Sequence, residues 1–156
     1  MDKFNQTAPS NKFTPPFLDC SRLLTRHSLI NRKIPERLCS QKFIVLEAQA
    51  GQGKTTFSYQ LLEHHNQKTL WYQVDEEDND PIFFLTALHH CFTRSFSDFN
   101  SEQFVSILQE GAVSPLDVKR CANILLHDIN LFLSDSVFLV LDDLHRIEHT
   151  SHTAPL

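Results

Sequence analysis

Three observations predict a three-layer α/β fold, in which helices flank a parallel sheet. An apolar run at residues 43–46 leads into Gly51-Gln52-Gly53-Lys54-Thr55, and a helix-like segment follows it. A β-biased segment, Thr-Leu-Trp-Tyr-Gln-Val at 69–74, comes after that one helix and completes a βαβ unit. A further apolar run at 137–141 ends in Asp142-Asp143.

Each element has a local cause. Residues 1–20 read as a leader that is polar and proline-punctuated by Pro9, Pro15 and Pro16, hence flexible or extended. Residues 21–38 alternate basic and aliphatic positions and predict short helical pieces broken before Pro35. Residues 42–48 are apolar through their centre, which predicts a strand buried on both faces of a parallel sheet. The helix after the glycine turn, 56–65, places Phe57, Leu61 and one of His64 or His65 on its inner side.

The acidic run 75–81 resembles a calcium loop only superficially. An EF-hand needs Gly at its sixth position and Glu at its twelfth, where this chain has Asp80 and Thr86. A helix start is the better account, with Asp80 as N-cap and Pro81 in the first turn. Phe84, Leu85, Leu88 and Phe92 then form an inward stripe. A short helix is expected around 104–108. Ser114-Pro115-Leu116-Asp117 opens another that runs to about 133, with Val118, Ala122, Leu125, Ile129 and Phe132 inward.

Composition narrows the function. A chain of 156 residues is at most one domain of ordinary size, and 41% hydrophobic residues, including 13 Phe, supply a core. The net charge is −5 and there is no Lys/Arg run, so direct nucleic-acid binding by this segment is not expected. Cys20, Cys39, Cys91 and Cys121 form no C-x-x-C pair, which argues against zinc and against a disulfide framework. They read as reduced thiols. No apolar run is long enough to span a bilayer and the N-terminus lacks a signal core, so no membrane partner and a cytoplasmic location are expected.

Two motifs carry chemistry. In a Gly-x-Gly-Lys-Thr turn between strand and helix, backbone N–H groups and the helix dipole converge on a polyphosphate. Lys54 would reach the outer phosphates and Thr55 would ligate Mg²⁺. The strict pattern has Gly where this chain has Ala48, and the bland alternative is a glycine turn with no ligand. Asp142 and Asp143 stand at the carboxyl end of a strand, where α/β sheets bind ligands. Asp142 would hold Mg²⁺, usually through water, and Asp143 would orient or deprotonate the attacking water. Alone, such a pair is as readily a solvated strand end. Downstream of the loop it is a second signature of nucleotide binding.

The chain resembles the nucleotide-binding domain of the MalT-type signal-transducing NTPases with numerous domains, many of which end in a LuxR-type helix-turn-helix. The likeness rests on Ala48-Gln49-Ala50-Gly51-Gln52-Gly53-Lys54-Thr55-Thr56, on Trp71 to Pro81 followed by Phe84, and on Leu139 to His145. Ser21-Arg22-Leu23-Leu24 and Arg26 match more loosely. The family's loop tolerates a first position that is not glycine.

The resemblance implies ATP and Mg²⁺ as ligands, a P-loop NTPase fold, slow hydrolysis that resets a switch, and self-association of the nucleotide-bound form. By position, Ala50, Gly51, Gln52, Gly53, Lys54, Thr55 and Thr56 would bind nucleotide, Thr55 and Asp142 the metal, and Asp143 and Lys54 would serve hydrolysis. It also implies strands beyond the second motif. The expected domain, 21–150 with a tail at 151–156, is therefore incomplete at the C-terminus. Two other readings compete: a non-catalytic remnant that acts by protein association, and a small phosphotransferase. The latter wants an arginine-rich lid, for which only Arg146 is at hand.

Overall fold

The computed structural model describes residues 10–16, 18, 42–63, 68–110 and 115–147. Helix α1 is Lys54–Glu63, strand β1 is Thr69–Gln73, and helix α2 is Pro81–Ser95. Helices α3, Glu102–Gln109, and α4, Pro115–Phe132, lead to strand β2, Phe138–Asp142. Short 3₁₀ turns occupy Ser10–Phe13, Glu76–Asn79 and Leu144–Arg146.

β1 and β2 run parallel, in register from Thr69 opposite Phe138 to Gln73 opposite Asp142. The ladder continues at both ends, Phe138 N–H to the Lys68 carbonyl at 3.0 Å and Val74 N–H to the Asp142 carbonyl at 2.9 Å. Alternation along β1 divides its side chains between two faces. Leu70, Tyr72 and Val74 enter a core shared with Leu88, Cys91 and Phe92 of α2, Phe104 of α3 and Leu125 of α4. Trp71 takes the other face and lines a cleft with Tyr59 and Leu62 of α1. Helices thus cover both faces of a parallel sheet, the predicted three-layer α/β arrangement.

The acidic segment folds as two nested caps. Asp75 caps the 3₁₀ turn by accepting from Glu77 N–H at 3.0 Å, and Asp78 accepts from Asp75 N–H at 2.8 Å. Asp80 then caps α2, accepting from Ile82 N–H at 2.9 Å, with Pro81 beside it. This is the helix start expected from the sequence. Leu85, Leu88 and Phe92 are buried as the stripe requires. On α4, Leu125 and Ile129 are buried, and Phe132, though half-exposed, packs edge-on against Phe96 and Phe99 at 5.4 and 5.3 Å. Ser114, His64 and His65, and the segment 21–38 lie outside the described residues.

Two expectations are corrected. Residues 42–49 run without strand pairing among the described residues, and Phe43 and Val45 are 90% and 77% exposed rather than buried. Apolar composition favours a buried strand, but burial needs neighbouring strands, and β2 pairs only with β1 among the described residues. β2 is accordingly half-buried, with Leu139 exposed. The second correction concerns the leader. Its residues 10–13 form a 3₁₀ turn in which Lys12 and Phe13 are buried. The Phe13 ring meets Tyr72 at 5.8 Å and His90 at 5.5 Å, while Pro15 lines the cleft on the Trp71 face. The segment therefore reaches side chains on both faces of β1.

Cys91 and Cys121 are free, buried thiols. Burial pushes the Cys91 thiol up to about 11 from 9.0. In the unfolded chain the thiol ionises near its ordinary value, so alkali favours unfolding once the pH exceeds 9 and until the folded thiol itself titrates. The melting temperature is expected to fall as pH rises from 9 to 11, and less steeply in Cys91→Ala. Equal slopes in the two proteins would contradict this assignment.

Candidate functional site

The glycine turn has the backbone its chemistry needs. Gly51 and Gly53 have φ of 78° and 75°, in the left-handed region that favours glycine. At Gly51 a Cβ would meet nothing within 4 Å, so conformation rather than space selects glycine there. The turn is closed by Gln52 N–H to the Gln49 carbonyl at 3.3 Å, and α1 begins at once, with Phe57 N–H bonded to the Gly53 carbonyl at 2.9 Å. Ala50, Gly51 and Gln52 are exposed, while Gly53, Lys54, Thr55 and Thr56 are half-buried at the helix start. The Lys54 ammonium folds back over the loop and donates to the carbonyls of Ala48 at 2.8 Å and Gln49 at 3.3 Å.

The two motifs meet. Thr55 Oγ1 lies 2.9 and 3.1 Å from the two carboxylate oxygens of Asp142, across 87 residues of sequence. The start of α1 and the carboxyl end of β2 therefore touch through the two side chains assigned to the metal. Both present hard oxygen atoms, the donor type Mg²⁺ takes, and Mg²⁺ needs only one or two protein oxygens beside phosphate and water. Among the described residues, no group of three or more His, Cys, Asp or Glu could hold a metal ion.

Asp143 adopts a left-handed conformation, φ 58° and ψ 34°, and is the one non-glycine residue with positive φ among those described. Such backbone is uncommon outside glycine, and Asp tolerates it better than most. Its N–H donates to Asp142 Oδ1 at 3.1 Å. Its Oδ2 accepts from Gln73 Nε2 at 2.9 Å and faces Arg146 Nε at 3.7 Å, while its Oδ1 lies 3.8 Å from His145 Nδ1. A left-handed turn held by side-chain contacts aims this carboxylate beside Asp142.

Sequence reasoning missed Gln73. The sequence offered only a polar residue at the end of a β-biased segment, and its place opposite Asp142 comes from the parallel register. Lys12 was also missed, because a lysine in a proline-rich leader carries no motif.

A glycine turn that opens a helix, with its Thr against an aspartate at the carboxyl end of a parallel strand, defines a P-loop nucleotide-binding module of the α/β class. The family comparison agrees: the model of the AAA domain matches residues 37–154, and the chain belongs to that family. No curated protein and no solved structure matches the chain. Among the described residues, no helix is long and apolar enough to cross a membrane.

Proposed function

We propose that this chain is the ATP-binding module of a signal-responsive transcriptional regulator of the MalT type, binding Mg-ATP and hydrolysing it slowly. The contact between Thr55 and Asp142 carries the nucleotide reading, because it joins the loop to the acidic strand end at the point a Mg-polyphosphate would occupy. The finer assignment rests on Trp71 to Pro81, in which a tryptophan strand runs into a doubly capped acidic turn.

In this reading the N–H groups of residues 50–56 and the start of α1 take the phosphates. Lys54 leaves the carbonyls of Ala48 and Gln49 to pair with an outer phosphate. Thr55 and Asp142 hold Mg²⁺, which when bound would neutralise phosphate charge. Asp143 orients a water molecule and takes its proton. The base is adenine by family resemblance alone.

A second reading, a module acting by protein association, is favoured by one observation: the exposed apolar segment with Phe43 and Val45. Calorimetric titration with ATP, in the presence and absence of Mg²⁺, separates the two. Saturable binding that strengthens with Mg²⁺ supports the nucleotide module. A chain that self-associates on sizing and takes up neither ATP nor GTP supports the association module and sinks the first reading.

A further inference from the structure

The geometry points to Lys12 as a positioning residue for Asp143, acting through the acidic turn and the carboxyl end of β1. The inference rests on the nucleotide reading above and concerns its hydrolytic step.

Lys12 is 3% exposed, and its ammonium lies 2.6 Å from Asp75 Oδ2 and 2.9 Å from Asp78 Oδ2. It also sits over the rings of Tyr72 and Phe83, at 5.3 and 5.2 Å. The Asp78 side chain is fully buried and takes two further bonds, from the Tyr72 hydroxyl at 2.6 Å and from Asp75 N–H at 2.8 Å. One cation from the N-terminal segment thus compensates two carboxylates at the end of β1. A buried lysine is tolerated only with such partners, and the carboxylates equally depend on it.

Two connections lead from this cluster to Asp143. The first runs along β1. Tyr72 and Gln73 are consecutive, so they leave opposite faces of the strand. Asp78 clamps Tyr72 on one face, and Gln73 donates to Asp143 from the other. The second runs through the turn. Asn79 Nδ2 donates to the Arg146 carbonyl at 3.4 Å, and Arg146 N–H bonds the Asp143 carbonyl at 3.0 Å. Without the cation, Asp75 and Asp78 repel each other and the turn opens. Asp143 is sensitive to that change because its left-handed backbone, uncommon outside glycine, is held in place by its contacts with Gln73 and Arg146. The phosphate loop belongs to the start of α1, and its contacts with Ala48, Gln49 and Asp142 do not pass through Lys12.

The test uses the whole chain. Lys12→Met keeps the aliphatic stem and removes the charge, Lys12→Arg keeps the charge, and Lys12→Met with Asp78→Asn removes one charge of each sign. Single-turnover hydrolysis of Mg-ATP is expected to slow roughly tenfold to a hundredfold in Lys12→Met, as for a reacting group misplaced from a distance. The Kd for ATP without Mg²⁺ should stay within about twofold, since the loop is untouched and Asp142, which accepts from the Asp143 N–H, serves only the metal. Lys12→Arg and the double variant should regain most of the rate. A Lys12→Met protein that hydrolyses like the wild type, or that loses affinity and rate in proportion, overturns the proposal.

Amide NMR decides independently of turnover. Lys12→Met, or the double variant where the single one fails to fold, should move the Gln73 side-chain amide and the Asp143 N–H while Gly51 and Gly53 stay in place. Unmoved Gln73 and Asp143 signals overturn the positioning role. Absence of nucleotide binding by the wild type sinks only the functional reading beneath it.

Discussion

Lys54→Ala is expected to lower affinity for Mg-ATP about tenfold to a hundredfold while leaving the melting temperature unchanged. The first half follows from charge: a hydrogen bond from an ammonium to a phosphate contributes about 1.5–3 kcal/mol, and every 1.4 kcal/mol is a factor of ten. The second half follows from where the lysine rests. Its ammonium bonds the carbonyls of Ala48 and Gln49 in an exposed stretch, so water takes over both acceptors once the side chain is gone. Surface changes of this kind usually stay within about 0.5 kcal/mol in stability. Calorimetric titration beside a thermal melt reads both quantities. Undiminished binding by the variant would remove Lys54 from the phosphate site, and a large fall in melting temperature would assign it a structural task instead.

Asp78→Ala is expected to cost about 3–5 kcal/mol of folding stability, the range for a buried ion pair stripped of one partner. The reason is what the carboxylate leaves behind. Lys12 keeps only Asp75, which is more exposed; the Tyr72 hydroxyl loses its acceptor; and the Asp75 N–H loses its cap. Burial, then the bond to Asp78, pushes the Tyr72 hydroxyl far above its ordinary value, so it stays a donor through the neutral range and is left without that acceptor in the variant. Asp78→Asn, which retains a carbonyl oxygen, should be milder. Urea unfolding of the two variants checks the order, and a loss below about 1 kcal/mol in Asp78→Ala would mean the cluster is not an ionic anchor.

The local grammar of this chain was legible where one residue's chemistry decides its own conformation. Gly51 and Gly53 sit at positive φ, Asp80 caps α2 ahead of Pro81, and Leu85, Leu88 and Phe92 are buried as their spacing demands. The strands at 69–73 and 138–142 also fall where β-biased composition places them. What was not legible depends on partners distant in sequence. Residues 42–48 have the composition of a buried strand, yet burial is a property of the sheet around a strand. Lys12 lies more than sixty residues from Asp75 and Asp78, and no spacing rule links a leader lysine to an acidic turn. Gln73 acquires its meaning only from the parallel register that sets β1 beside β2.

The sequence by itself determined the phosphate-loop conformation, the acidic strand end and the capped acidic turn. These follow from short-range sterics and hydrogen bonding, in which glycine at positive φ and Asp-Pro at a helix start leave few alternatives. The tertiary structure decided that Thr55 meets Asp142, that Asp143 is held by Gln73, and that Lys12 pairs with two carboxylates of the turn beside them. Those contacts come from the pairing of β1 with β2 and from burial of charge, energies that exist only once distant segments are brought together.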